Sequence, residues 1–343
     1  MVPSMAAFFF LLFTLLPSFI SPSPITLPLQ QHLLPPTSFS SPYQNLNSLV
    51  NSSLTRAHQI KHPASDFTAK TELSPHSYGG YSTSLSFGTP PQTLSFVVDT
   101  ASSFVWFPCT THYFCEHCVF PSPTSFSYCL LSHQFDDDSV RSGYLVLDSG
   151  SDSGTKTRNP FVLNKPDYSV YYYLGLRRIS VGGRRVEIPY RHLSPGIDGS
   201  GGTIVDSGTT FTFMSRGVFE PVSRELVAQM ERSNGNYSRS RAAEAATGLR
   251  PCFRVHGKGA AAFPELKLHF KGGADMVLPV ENYFTYVGSG EVACLAVVTD
   301  GMEEGSGGGP SVILGNFQMQ NFRVEYDLAN QRFGFKQQPC SHH

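Results

Sequence analysis

Two stretches decide the reading of this chain: "FVVDTASSFVWFPC" from Phe96 to Cys109, and "TIVDSGTTFTFM" from Thr203 to Met214. Aligned on Asp99 and Asp206, they agree in kind. Each runs an apolar strand into an Asp, turns over small hydroxyl residues, and resumes with a Phe five positions on, Phe104 or Phe211. A strand delivers the carboxylate to a tight turn. Small residues then let backbone N–H groups and hydroxyls approach it, and those donors orient it and favour its ionised form. The turn residues that carry this expectation are Thr100, Ala101 and Ser102 in the first copy, and Ser207, Gly208 and Thr209 in the second.

The chain contains its own control. "YLVLDSGSDSG" also runs into Asp148-Ser-Gly-Ser, but it continues "DSGTKTRNP", which is polar and has no returning strand. Asp148 and Asp152 therefore read as solvated loop acids. Two genuine copies predict two similar lobes that face each other. Two carboxylates held together do not readily both ionise, so the pair shares one proton over a wide acidic range. One acid and one base about a water is what amide hydrolysis needs, without a metal, cofactor or covalent intermediate.

Composition supports a β-rich body. Among 343 residues, charged residues make up only 15% and the formal net charge is -1, with no Lys/Arg-rich run of the kind nucleic-acid binding needs. Phe, Tyr, Gly and Pro are abundant and long helical periods are scarce. "YGGYSTSLSFGTPPQTLSFVVDT" alternates, turns on Gly88-Thr-Pro-Pro and resumes at Leu94, which predicts a hairpin. Further strands are predicted at 126–131, 143–148, 169–183, 265–270, 276–280, 292–298, 311–317 and 322–335, the last containing a hairpin turn at Leu328-Ala-Asn-Gln. One clear helix is predicted over Ser215–Gln229, with a Ser cap.

Residues 1–23 read as a signal peptide, because the apolar run Ala6–Leu16 suits a secretory core and Pro17 interrupts it. Residues 24–75, rich in Pro, Ser and Leu with a basic patch "TRAHQIKH" at 55–62, look unlike a packed domain; a removable pro-segment is expected, or else a disordered linker. A secretory route fits two N-glycosylation sequons, at Asn51 and Asn236, and makes disulfides plausible among seven cysteines. The C-x2-C at Cys115–Cys118 has no matching second pair, so no metal site is expected. Trp106 reads as a core or cleft-wall residue, and the Gly-rich run 305–309 lacks the Lys-Ser/Thr of a phosphate loop.

The chain resembles the pepsin-like aspartic endopeptidases, in particular their plant nepenthesin-like branch. The resemblance rests on "SLSFGTPPQ" (84–92), "VVDTASSFVWFPC" (97–109), "FSYCL" (126–130), "YYYLGLRRISVGG" (171–183), "GGTIVDSGTTFTFM" (201–214), "CLAV" (294–297) and "ILGNFQMQNFRVEYDLANQRFGF" (313–335); "SLTRAH" (53–58) resembles the pro-segments of that branch. It implies an all-β, bilobal fold with few short helices, catalytic Asp99 and Asp206, polypeptide substrates, an acidic optimum and inhibition by pepstatin-type compounds. It also implies that Ile313-Leu314-Gly315 crosses under the second Asp loop, that Cys252 pairs with Cys294, and that the protein is a monomer in the extracellular space, cell wall or vacuole.

The sequence departs from that pattern in one place. A first lobe over 76–167 has only about 80 residues from its first strand, against about 175 for a second lobe over 168–343, and structural copies should bury comparable cores. The shortfall lies between Cys118 and Phe126. Relatives carry there a hairpin flap with a Tyr, and an apolar-apolar-Gly support for the first Asp loop. The expectation is therefore a truncated N-terminal lobe. The alternative to a working endopeptidase is a catalytically impaired form, or a non-catalytic binding module of the same fold.

Overall fold

A computed structural model describes residues 25–31, 41–61, 79–87, 89–102, 124–132, 143–147, 157–161, 171–197, 199–232, 237–255, 263–288, 290–301 and 308–340. Trp106, Cys109, Cys115, Cys118, Asp148, Asp152 and Asn236 lie outside them, as do residues 1–23 and most of the 301–310 run.

The described residues form four β-sheets with few helices. The predicted hairpin pairs Tyr81–Phe87 with Gln92–Val97, from Ser82 opposite Val97 to Phe87 opposite Gln92. The predicted C-terminal hairpin pairs Phe322–Asp327 with Arg332–Gln337. Residues two apart share a face of a strand, but burial does not alternate along these hairpins: Gln92–Val97 is exposed or half-exposed throughout, whereas Phe322–Asp327 is almost wholly buried. The helix Arg216–Glu231 forms one residue from its predicted start and buries Val218, Phe219, Val222, Leu226 and Met230 along one stripe; Ser215 stands at its N-terminus, but its side chain makes no capping hydrogen bond.

The lobe division drawn from sequence does not coincide with the sheets. Ser125–Cys129 and Gly143–Leu147, assigned to the first lobe, pair with each other. Ser125–Cys129 also pairs antiparallel with Phe322–Asp327 from the far end of the chain. An eight-stranded sheet results, and the disulfide Cys129–Cys340 ties its two ends of sequence together. The buried aromatics Tyr128, Tyr326 and Phe333 lie within it. Non-local pairing of this kind cannot be read from local pattern, because each strand shows only which face is apolar and not which partner covers it.

Two stretches of the segment 24–75 are ordered and packed, unlike the unpacked look of its sequence. Ile25–Gln31 is a strand of the eight-stranded sheet, between Tyr81–Phe87 and Gly143–Leu147, and it buries Leu29. Pro42–Lys61 is a twenty-residue helix, α1. Ser41 caps it by accepting the Tyr43 N–H at 3.2 Å, and Pro42 occupies the first turn, where its missing N–H costs nothing. Leu46, Leu49, Val50, Ser53, Ala57 and Ile60 recur at helical spacing and are all buried. The polar letters between them gave the stretch its unpacked look: Gln44, Asn51, Thr55, His58 and Gln59 are exposed, whereas Arg56 is half-buried and reaches Asp99 and Asp206.

Candidate active site

The second Asp stands at the end of Thr203–Val205. That strand pairs in parallel with Val312–Leu314, in register Thr203–Val312, Ile204–Ile313 and Val205–Leu314. The Asp206 N–H continues the ladder by donating to the Leu314 carbonyl at 3.0 Å. Ile313 and Leu314 are buried beneath the loop. Gly315 is required by close approach: a Cβ there would sit 2.5 Å from the Thr210 carbonyl oxygen. The polar residues that follow satisfy the loop's backbone. Asn316 donates to the carbonyls of Ser207 (3.0 Å) and Gly79 (2.9 Å), and Gln318 Oε1 accepts from the Thr212 N–H and hydroxyl. Buried backbone groups need such partners.

The two Asp loops meet and grip each other. The Thr100 N–H donates to Ser207 Oγ (3.2 Å), and the Ser207 N–H donates to Thr100 Oγ1 (3.0 Å). Each hydroxyl then donates into the opposite strand, Ser207 to the Val98 carbonyl (2.7 Å) and Thr100 to the Val205 carbonyl (3.4 Å). Sequence reading assigned these hydroxyls to their own loops; the structure uses them across the pseudo-symmetric pair. The matched Thr100/Ser207 positions in the two quoted stretches were the available signal.

Each carboxylate accepts from its own turn. Asp99 Oδ1 takes the Ala101 N–H at 3.0 Å, and Asp206 Oδ1 takes the Gly208 N–H at 2.8 Å. Thr209 adds its hydroxyl to Asp206 Oδ2 at 2.6 Å. Ser102 follows, half-buried. The Asp206 side chain is fully buried and that of Asp99 is 22% exposed. A Cβ added to Gly208 would lie 2.8 Å from both Asp99 Cγ and Oδ1 and 3.2 Å from Asp206 Oδ1, so both carboxyl groups converge on one point. Burial, then the neighbouring Asp206, push the Asp99 carboxyl up to about 6, although Arg56 and the Ala101 N–H oppose the rise.

Arg56 is the residue that sequence reading did not place here. It projects from α1 and bridges both carboxylates: Nη2 lies 2.7 Å from each oxygen of Asp99, and Nε lies 3.2 Å from Asp206 Oδ2. Burial works against its charge, but the two carboxylates outweigh that and hold its pKa above the ordinary value. Its one sequence signal was "SLTRAH". The rest of α1 is docked alongside. Ser53 Oγ accepts the Phe211 N–H (3.1 Å), Tyr171 donates to the Ile60 carbonyl (3.5 Å), and Lys61 Nζ pairs with Asp300 (2.8 Å). Beneath the loops, the Tyr128 and Tyr326 hydroxyls meet at 3.1 Å, and Phe126 stacks on Tyr326 with centroids 4.3 Å apart. Burial drives both phenols well above their usual range.

The structure pairs Cys252 with Cys294 across the strands Cys252–Val255 and Val292–Leu295. Asn51 is exposed on α1, where its amide donates to Asn47 at 3.0 Å. Among the described residues, no helix is long and apolar enough to cross a membrane, and no three His, Cys, Asp or Glu side chains gather as a metal site.

The family described as Xylanase inhibitor C-terminal matches residues 171–337. A probable aspartyl protease of Arabidopsis thaliana is 34% identical over an alignment of 247 residues, with 63% of this chain and 48% of that protein covered. Aspartic proteinase nepenthesin-1 of Nepenthes gracilis is 32% identical over 220 residues, covering 63% and 46%. The chain thus spans about half the length of the curated relatives it matches. Among solved structures, edgp superposes with a TM-score of 0.66 at 14% identity, over 93% of this chain and 95% of that one. Conglutin gamma, a basic 7S globulin from lupine seeds, gives 0.60 at 13%, over 92% and 95%. At such identities the structural likeness speaks for the fold alone.

Proposed function

Because the chain is similar in sequence to plant aspartyl proteases, a nepenthesin among them, we propose that it is an aspartic endopeptidase whose catalytic pair is Asp99 and Asp206. The convergence of both carboxyl groups on the space beside Gly208 carries this reading. Burial and the neighbouring Asp206 raise the Asp99 pKa, so the pair holds one shared proton in acid. The ionised partner takes a proton from water as it attacks the scissile carbonyl. The protonated one hydrogen-bonds the carbonyl oxygen, and its proton passes to the leaving amine.

In this reading, residues 24–75 are a pro-segment and Arg56 is its inhibitory contact, since the guanidinium fills the position a substrate carbonyl and water would take. Arg56 lowers the Asp99 pKa, so Asp99 binds its proton more tightly once Arg56 has left. By linkage, acid favours release of α1. The groups facing this contact are Asp99, Asp206 and Tyr171, together with Arg56 itself. Substrates are polypeptides, and pepstatin-type compounds compete with them. The two disulfides fit a secretory route, with a signal peptide over 1–23 and sequons at Asn51 and Asn236. The first lobe remains short in this reading, and the strand Gln92–Val97 is exposed or half-exposed along its length, with Val97 44% accessible.

The test is cleavage of an acid-denatured protein at pH about 4, with and without pepstatin. Pepstatin-sensitive turnover should fall by roughly a thousandfold or more in Asp99→Asn and in Asp206→Asn, each measured separately. Absence of turnover in the parent chain, under conditions where α1 has been released, would instead support the impaired form.

A further inference from the structure

Lys61 lies one and a half turns beyond Arg56 on α1, and its docking is specific. Its ammonium pairs with Asp300 Oδ2 at 2.8 Å and stands 5.2 Å over the ring of Phe213. The Lys61 side chain is 11% exposed, that of Asp300 18%, and Phe213 is fully buried. Asp300 follows the strand Val297–Val298, which pairs in parallel with Thr212–Met214, the strand that leaves the Asp206 loop. The carboxylate and the ring are thus fixed to the same sheet that holds Asp206. A carboxylate beside an aromatic face, partly withdrawn from water, recognises an ammonium or guanidinium through charge-assisted hydrogen bonding and cation–π attraction.

We propose that Asp300 and Phe213 form a substrate subsite selective for Lys or Arg, which Lys61 fills while α1 is docked. The assignment rests on the endopeptidase reading above, because it takes Arg56 as the marker of the scissile position. Five helical residues advance about 7.5 Å at ~1.5 Å each. An extended peptide covers that distance in about two residues, at ~3.3 Å each. A basic side chain two residues from the cleaved bond therefore reaches Asp300 when the middle of the peptide lies between Asp99 and Asp206.

The experiment uses the full chain and its Asp300→Asn variant. The probes are decapeptides with a reduced, uncleavable central bond, carrying either Lys or norleucine two residues from that bond, on one side or the other. Binding is measured at pH about 5. The ratio of affinities within each protein is the readout, since both peptides must displace α1 equally. The parent should bind the Lys peptide about tenfold more tightly on one of the two sides, and Asp300→Asn should bring the ratio to about one. Equal affinities in the parent on both sides, a Lys preference that survives Asp300→Asn, or no peptide binding would each overturn the subsite. The matching cleavable peptides separate this from the endopeptidase reading. Selective binding without turnover sinks the hydrolase and leaves the subsite standing, whereas turnover without selectivity does the reverse.

Discussion

At the residue scale, the two Asp loops answer why one reads D-T-A and the other D-S-G. Gly208 faces the opposite carboxylate, and a methyl there would press to within 2.8 Å of Asp99 Cγ. Ala101 does not need to be Gly. Among the described non-glycine residues only Asn321 and Gln331 have positive φ, so Ala101 sits in ordinary backbone space. Its methyl packs into the cluster around Phe211, Ile313 and α1. The two substitutions should therefore behave oppositely. Ala101→Gly should cost about 1 kcal/mol in denaturant unfolding and leave acid proteolysis nearly unchanged. Gly208→Ala should lower turnover by at least about tenfold, because the carboxyl groups must move apart to admit the methyl. Equal effects from the two changes would refute the distinction.

At the element scale, α1 is the part that sequence reading described least well. Its apolar face is legible at helical spacing, but the surrounding Ser, Asn and Pro residues resemble a linker, and no local pattern shows that Arg56 reaches residues 43 and 150 positions away. Most of the predicted strands, by contrast, were legible because alternation is a local property, whereas Ile25–Gln31 and the polar Thr157–Pro160 are strands only through the partners they pair with. Two measurements test the docking. Ser53→Ala strips the buried Phe211 N–H of its acceptor and should cost about 1–3 kcal/mol in chemical denaturation. Arg56→Ala removes a cation that holds the Asp99 pKa down, so Asp99 should titrate above about 6, seen by carboxyl NMR. A downward movement of that titration would contradict the bridge.

At the scale of the whole molecule, the site links stability to acidity. Folding raises the Asp99 pKa from 3.8 to about 6. Between those values the folded chain holds more protons than the unfolded one, so stability falls as pH rises through the window. Above about pH 6 the penalty is complete, at most about 3 kcal/mol. The melting temperature of the parent should consequently gain on that of Asp99→Asn as pH is lowered from about 7 to about 4. A difference between the two proteins that does not vary with pH would exclude this linkage.

The sequence by itself determined many of the strands, though not Ile25–Gln31, Thr157–Pro160, Cys252–Val255 or Phe284–Val287, together with the helix 216–231 and the two carboxylates on matching turns, because periodicity and turn chemistry act over a few residues. Tertiary structure decided the rest. It joined 125–129 to the C-terminal hairpin, locked Thr100 to Ser207 between the two Asp loops, and laid α1 over the site with Arg56 between the carboxylates and Lys61 on Asp300. These contacts couple residues far apart along the chain. Their partners are selected by burial and charge in three dimensions, which no local pattern records.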